Sequence, residues 1–118
     1  MHLTVHELSI CQRVVDQLKQ IAQTQSATAV TRVKIQLGPF SGITAEGFHH
    51  AFPIAAADTI ASDAELVIET LPLSILCKKC NAKHETSPQQ LLCPACNSSD
   101  IQLLNGDEIQ IHGIEIKS

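Results

Sequence analysis

Leu8, Cys11, Val14 or Val15, Leu18 and Ile21 or Ala22 recur at steps of three and four residues, which places them on one face of a helix. Glu7 lies near its start, where the helix dipole favours a negative charge, and Lys19 lies nearer its end. The polar run from Gln23 to Thr28, whose only apolar residue is Ala27, stops the helix. Thr31, Val33, Ile35 and Leu37 then alternate with Arg32, Lys34 and Gln36, the two-residue period of a half-buried strand. Gly38-Pro39-Phe40-Ser41-Gly42 marks a loop.

Thr44 suits the N-cap of a second helix that carries Phe48 and Phe52 one turn apart, with Glu46 in its first turn. Pro53 falls inside that pattern and is expected to kink or end it, with the Ala-rich stretch after Ile54 resuming it. Leu66 to Glu69 form a second strand closed by Pro72. After the turn pair Asn105-Gly106, the last strand carries Ile109, Ile111, Ile114 and Ile116. Its spacing slips by one at Gly113, as a bulge would make it do. The last strand is expected to rejoin the first sheet. The fold class that follows is α+β, with a small two-helix, three-stranded-sheet domain (residues 1–72 plus 105–118) and a cysteine unit (73–104) inserted into it.

Four cysteines lie in that insert. Cys77-Lys-Lys-Cys80 and Cys93-Pro-Ala-Cys96 form CxxC-x12-CxxC, two knuckles that set four sulfurs around one ion. Zinc favours four thiolates in a tetrahedron, although ligand type alone leaves a rubredoxin-like iron site open. Lys78, Lys79 and Lys83 offset part of the site's charge. The expected role is structural: about 30 residues with few large apolar side chains cannot build a core, so metal binding supplies the folding energy. A catalytic zinc would keep a position open for water, and four cysteines close it. A zinc deaminase would need His-x-Glu before its cysteine pair, whereas His84-Glu85 is contiguous and lies between the pairs. The fifth cysteine, Cys11, sits on the apolar helix face as a small buried hydrophobe.

Composition narrows the functional classes. The 118 residues include 44% hydrophobic positions but only three Phe, with no Tyr or Trp, so the core must be aliphatic. No apolar run is long enough to span a membrane. MHLTVHELSI lacks the basic region and apolar run of a secretory signal. An odd number of cysteines without such a signal points to a reducing cytoplasm. The formal charge is −4; four thiolates subtract four and a dication adds two, giving −6. An acidic, aromatic-poor chain lacks the basic surface and stacking rings of a nucleic-acid binder. It also has no nucleophile–base pair or phosphate loop, which argues against an enzyme.

Of the six histidines, His49 and His50 lie on the second helix, His84 in the cysteine unit and His112 in the last strand. Each is read first as an ordinary surface or core histidine; a role for His84 in tuning the zinc site from outside is open, and spacing alone does not show it. The N-terminal histidine is more informative. Val5-His6-Glu7-Leu8-Ser9-Ile10-Cys11, the loop Leu37-Gly38-Pro39-Phe40-Ser41-Gly42, Phe48-His-His-Ala-Phe52 and the CxxC-x12-CxxC together resemble the HypA/HybF family of hydrogenase maturation nickel metallochaperones. The resemblance covers nearly the whole chain. Its cysteine part is shared by many zinc ribbons; the His-Glu-(Leu/Met)-Ser start combined with that ribbon is specific.

The resemblance implies a nickel-insertion accessory protein with two metal sites. Zinc maps onto Cys77, Cys80, Cys93 and Cys96, in a structural role. The transported nickel maps onto His6 and Glu7, within Val5-His6-Glu7. Nickel(II) accepts tetragonal nitrogen and oxygen donors, which suits an imidazole with backbone amides. It further implies a [NiFe]-hydrogenase large-subunit precursor as recipient and a HypB-type GTPase as partner, and it leaves room for a homodimer. One departure is that Met1-His2-Leu3-Thr4 precede the motif, whose family Met is here Val5. Either His2 joins or competes for the nickel, or translation starts at Val5 through a GTG codon; intact mass distinguishes the two. The contrasting readings are a zinc-ribbon protein-interaction module without nickel and a thiol redox enzyme.

Overall fold

The computed structural model describes residues 5–118. The three- and four-residue periodicity becomes α1 (Val5–Thr24), whose buried face is Ile10, Cys11, Val14, Val15, Leu18 and Ala22. The helix ends without a glycine. Ser26 takes φ of 53°, and the Ala27 N–H reaches back to the Ala22 carbonyl at 2.8 Å, a left-handed close that satisfies a terminal carbonyl.

β1 (Ala29–Leu37) buries Val30, Val33, Ile35 and Leu37. α2 (Ala45–Ala56) begins at Thr44, whose hydroxyl accepts the Gly47 N–H at 2.9 Å. Of the two outcomes expected at Pro53, α2 does not end there; the helix continues through Ala56 and takes in the Ala-rich stretch. Both Pro53 and His49, whose carbonyl loses a partner, are exposed. An exposed carbonyl is open to solvent, and only one turn remains to be carried past the ring. β2 (Glu65–Thr70) then returns parallel to β1, with Val33 opposite Leu66 and Ile35 opposite Ile68.

The cysteine unit contains three short strands, β3 (Leu73–Cys77), β4 (Ala82–Thr86) and β5 (Ile101–Leu103), in the order β4-β3-β5. Sequence periodicity did not resolve them. β6 (Ile109–Lys117) rejoins the first sheet antiparallel to β1, giving the order β2-β1-β6. The expected bulge is present: Lys34 pairs with Gly113 and Ile35 with Ile111, leaving His112 as the extra residue. The architecture is therefore a two-helix, three-stranded α+β domain with an inserted zinc-ribbon domain.

The two connections between the sheets are tied together. Asn105 accepts the Ser74 N–H at 2.8 Å and donates from its amide to the Pro72 carbonyl at 3.2 Å. The outgoing strand is also bonded to the loop after β1, through Gly38 N–H to the Glu108 carbonyl at 2.8 Å and Phe40 N–H to the Gly106 carbonyl.

Candidate metal centre

The four paired cysteines converge. Their sulfurs lie within 4.8 Å of one another, with Cys77 and Cys93 buried and Cys80 and Cys96 exposed. Cys77 Sγ is 3.6 Å from Cys96 Sγ, and Cys80 Sγ is 3.8 Å from Cys93 Sγ. These spacings are far too long for disulfides. A tetrahedron with metal–sulfur bonds of about 2.3 Å has edges of about 3.8 Å, so the donor set fits one zinc-sized ion.

Local backbone builds each knuckle. Cys77 ends β3 and Cys80 closes the turn, its N–H directed at Cys77 Sγ over 3.4 Å. On the opposite side, the Cys93 N–H bonds the Ser98 carbonyl at 2.9 Å and the Asn97 N–H bonds the Cys93 carbonyl at 2.8 Å. An asparagine follows each pair, and both are left-handed: Asn81 at φ 56° and Asn97 at φ 60°. Asparagine adopts this conformation more readily than other residues with a side chain. CxxCN occurs twice in the sequence, a signal for the turn that spacing of cysteines alone overlooks. His84, opposite Ile75 on the neighbouring strand, brings Nε2 to 3.7 Å from Cys80 Sγ.

The thiols compete for protons. The Cys77 thiol is pulled down to about 7, chiefly by the backbone N–H of Cys80 and against its own burial. Cys80 is pushed up to about 12 by the side chain of Cys77, by desolvation and by the side chain of Cys93. The Ser98 N–H lowers Cys96, but the thiols of Cys93 and Cys77 and burial outweigh it and leave the group raised. Cys80 and Cys96 therefore resist ionisation beside their neighbours, and a dication bound among the sulfurs would compensate that charge and favour thiolates.

The other singled-out residues fall elsewhere. His6 is exposed and Glu7 half-buried in the first turn of α1, beside the loop after β1 and the start of α2. Among the described residues, they share no cluster of three or more histidine, cysteine or carboxylate groups. His2 and the alternative start lie outside the described residues. His49 and His50 are exposed on α2, where His50 Nδ1 faces the Glu46 carbonyl at 3.0 Å. Cys11 is fully buried, its sulfur 3.9 Å from the Phe48 carbonyl. Desolvation, assisted by the nearby Glu7 charge, pushes its thiol up to about 11. No helix among the described residues is long and apolar enough to cross a membrane.

Residues 5–116 match the family model for hydrogenase/urease nickel incorporation, metallochaperone, HypA. The hydrogenase maturation factor HypA of Nitrosospira multiformis is 35% identical to this chain, covering 95% of it and 97% of its own length. The hydrogenase maturation factor HybF of Klebsiella pneumoniae is 28% identical, covering 94% and 98%. The solution structure of the Ni metallochaperone HypA from Helicobacter pylori shares the fold with a TM-score of 0.69 at 21% identity, over 95% of this chain and 97% of that one. With this match running from the first turn of α1 to the end of β6, the chain belongs to the HypA family of nickel-incorporation metallochaperones of hydrogenase maturation.

Proposed function

We propose that the protein binds Ni(II) reversibly at its N-terminal end and delivers it to a [NiFe]-hydrogenase large-subunit precursor together with a HypB-type GTPase. Residues 1–72 with 105–118 form the nickel-binding domain, and residues 73–104 form a zinc ribbon whose ion is structural. His6 supplies the imidazole, and Glu7 belongs to the same site. The protein works in the cytoplasm as a carrier rather than an enzyme.

The exposure of His6 at the head of α1 carries this reading. A cargo ion must enter and leave, and an imidazole at the surface permits both. Nitrogen donors suit nickel(II), whose tetragonal preference also accepts backbone amides. The cysteine cluster makes the contrast: its four donors close the tetrahedron and leave no open position. Zinc is thus the ion that stays, and nickel the ion that moves.

His6→Ala in the zinc-loaded protein tests the assignment. With no Tyr or Trp in the chain, calorimetry is the suitable measurement. The expected result is a Ni(II) dissociation constant at least about tenfold weaker, a loss of about 1.4 kcal/mol, with zinc still at one ion per chain. Unchanged nickel affinity rejects His6 as the ligand. Absence of nickel binding in the unsubstituted protein would instead favour an interaction module.

A further inference from the structure

The head of α1 lies against the head of α2, and two glycines make room for it. Gly47 is buried in the first turn of α2. A Cβ on Gly47 would overlap a carboxylate oxygen of Glu7 and lie 3.0 Å from the carboxyl carbon. Glu7 thus occupies the space a side chain at 47 would take. Five residues earlier, Gly42 has φ of +84°, and a Cβ there would stand 3.2 Å from His6 Nε2. Glycine is the poorest helix former apart from proline, so helix formation does not explain Gly47. The seat also suits a carboxylate: the positive end of the α2 dipole is there, and Thr44 already satisfies the Gly47 N–H.

We propose that Gly42 and Gly47 are positioning residues of the nickel site. Together they form a recess in which the Glu7 carboxylate seats on the first turn of α2 and over which the His6 imidazole lies. The start of α2 therefore sets where α1 begins and where its histidine stands. Glu7 serves nickel through this seat, by fixing the turn that carries His6. The inference rests on the reading that His6 binds nickel, and its test separates the two.

Gly47→Ala, Glu7→Ala and the double variant are compared, each zinc-loaded, by nickel calorimetry and thermal unfolding. Alanine at 47 evicts the carboxylate, so its nickel affinity falls about tenfold. Glu7→Ala falls by a similar factor, and the double variant falls no further. Gly113→Ala serves as control, because its Cβ would meet only Lys34 Cδ at 3.9 Å; it binds nickel as the unsubstituted protein does. Stability reads the recess without nickel. In the Glu7→Ala background the overlap at 47 is gone and only the Thr44 hydroxyl stays close, 3.1 Å from the added Cβ, so alanine raises the melting midpoint by up to about 5 °C. With Glu7 present, the same substitution gains less or lowers the midpoint.

Should Gly47→Ala lose its helices, adding Glu7→Ala restores them; failure to do so overturns the recess. Gly47→Ala with native nickel affinity, or losses that multiply in the double variant, overturns the positioning role. Stability coupling that persists while His6→Ala binds nickel normally also overturns that role, and in that case the fault lies with the assignment of His6.

Discussion

Among the described residues, the sheet β2-β1-β6 lies against two helices, whereas the equally stranded sheet β4-β3-β5 has none. Between the first sheet and its helices lies a continuous core of 16 buried residues, from Ile10 to Ala61, with Phe48, Leu18, Ile35 and Leu37 among the largest. In the second unit the buried residues are Leu73, Ile75, Cys77 and Cys93, two aliphatic side chains and two sulfurs. One half is held by the removal of apolar surface from water. The other lacks that surface, and its four-cysteine cluster is where a bound metal would supply the missing stability. The two halves of one small chain are therefore expected to fail under different insults.

The largest effect comes from the metal. Removing zinc with a chelator withdraws a binding free energy of about 10 kcal/mol or more from residues 73–104, and Cys93→Ser, which deletes one of the four sulfurs, withdraws part of it. The full loss exceeds anything Leu73 and Ile75 supply. β3, β4 and β5 are expected to lose their order, while α1 and α2 keep theirs, because neither helix draws its core from the insert. Far-ultraviolet dichroism follows the helices and backbone amide resonances follow the insert. Loss of helical signal together with the zinc would break the comparison and make the two units one cooperative structure.

The converse experiment is Phe48→Ala. Phe48 is fully buried, and its ring lies 6.0 Å from that of Phe52 in a near-parallel stack. Removing it costs about 3–5 kcal/mol, a large share of the roughly 5–15 kcal/mol by which a domain is stable. The helical transition shifts strongly to lower denaturant, yet the folded protein still binds one zinc per chain. Zinc loss that tracks the helical transition would show that the α/β core supports the ribbon.

The same contrast explains what the sequence disclosed. Periodicity was readable where burial repeats, in α1, in β1 from Val33 to Leu37 and in the slip at Gly113; it failed where the register shifts between Val30 and Arg32, which buries Val30 and exposes Thr31, and at Ile116, which is exposed. The four-cysteine spacing was readable because ligation requires it, and the His-Glu-Leu-Ser start with that ribbon pointed to the family. The strands of the insert were not readable, because β4 (Ala82–Thr86) has no apolar alternation to display; its partner is fixed by the knuckle. The sequence left open whether α2 ends at Pro53, because that depends on exposure and on how much helix remains, neither of which is local to the residue. The seat of Glu7 on Gly47 joins positions 40 residues apart, and no local pattern marks it. CxxCN was in plain view, and its meaning came from the left-handed φ of both asparagines.

The smallest effect concerns the cysteine outside the cluster, and it sharpens the contrast between sulfur as ligand and sulfur as packing. Cys11 lies in the aliphatic core, where desolvation first, and the Glu7 charge second, raise its thiol from an ordinary 9.0 to about 11. The unfolded chain gives up this proton above pH 9 while the folded chain retains it. Below that range both states hold the proton and no difference arises. Between the two values the unfolded state binds fewer protons, so stability falls as pH rises. The shift gives a loss of about 1.4 kcal/mol by about pH 10 and close to none at about pH 8. Cys11→Ala removes the titration while leaving the surface groups unchanged. Its denaturation midpoint is therefore expected to fall less steeply than the unsubstituted protein's between those pH values. Parallel slopes would mean that Cys11 is no harder to ionise in the fold than out of it, and the division of five cysteines into four ligands and one packed thiol would lose its electrostatic basis.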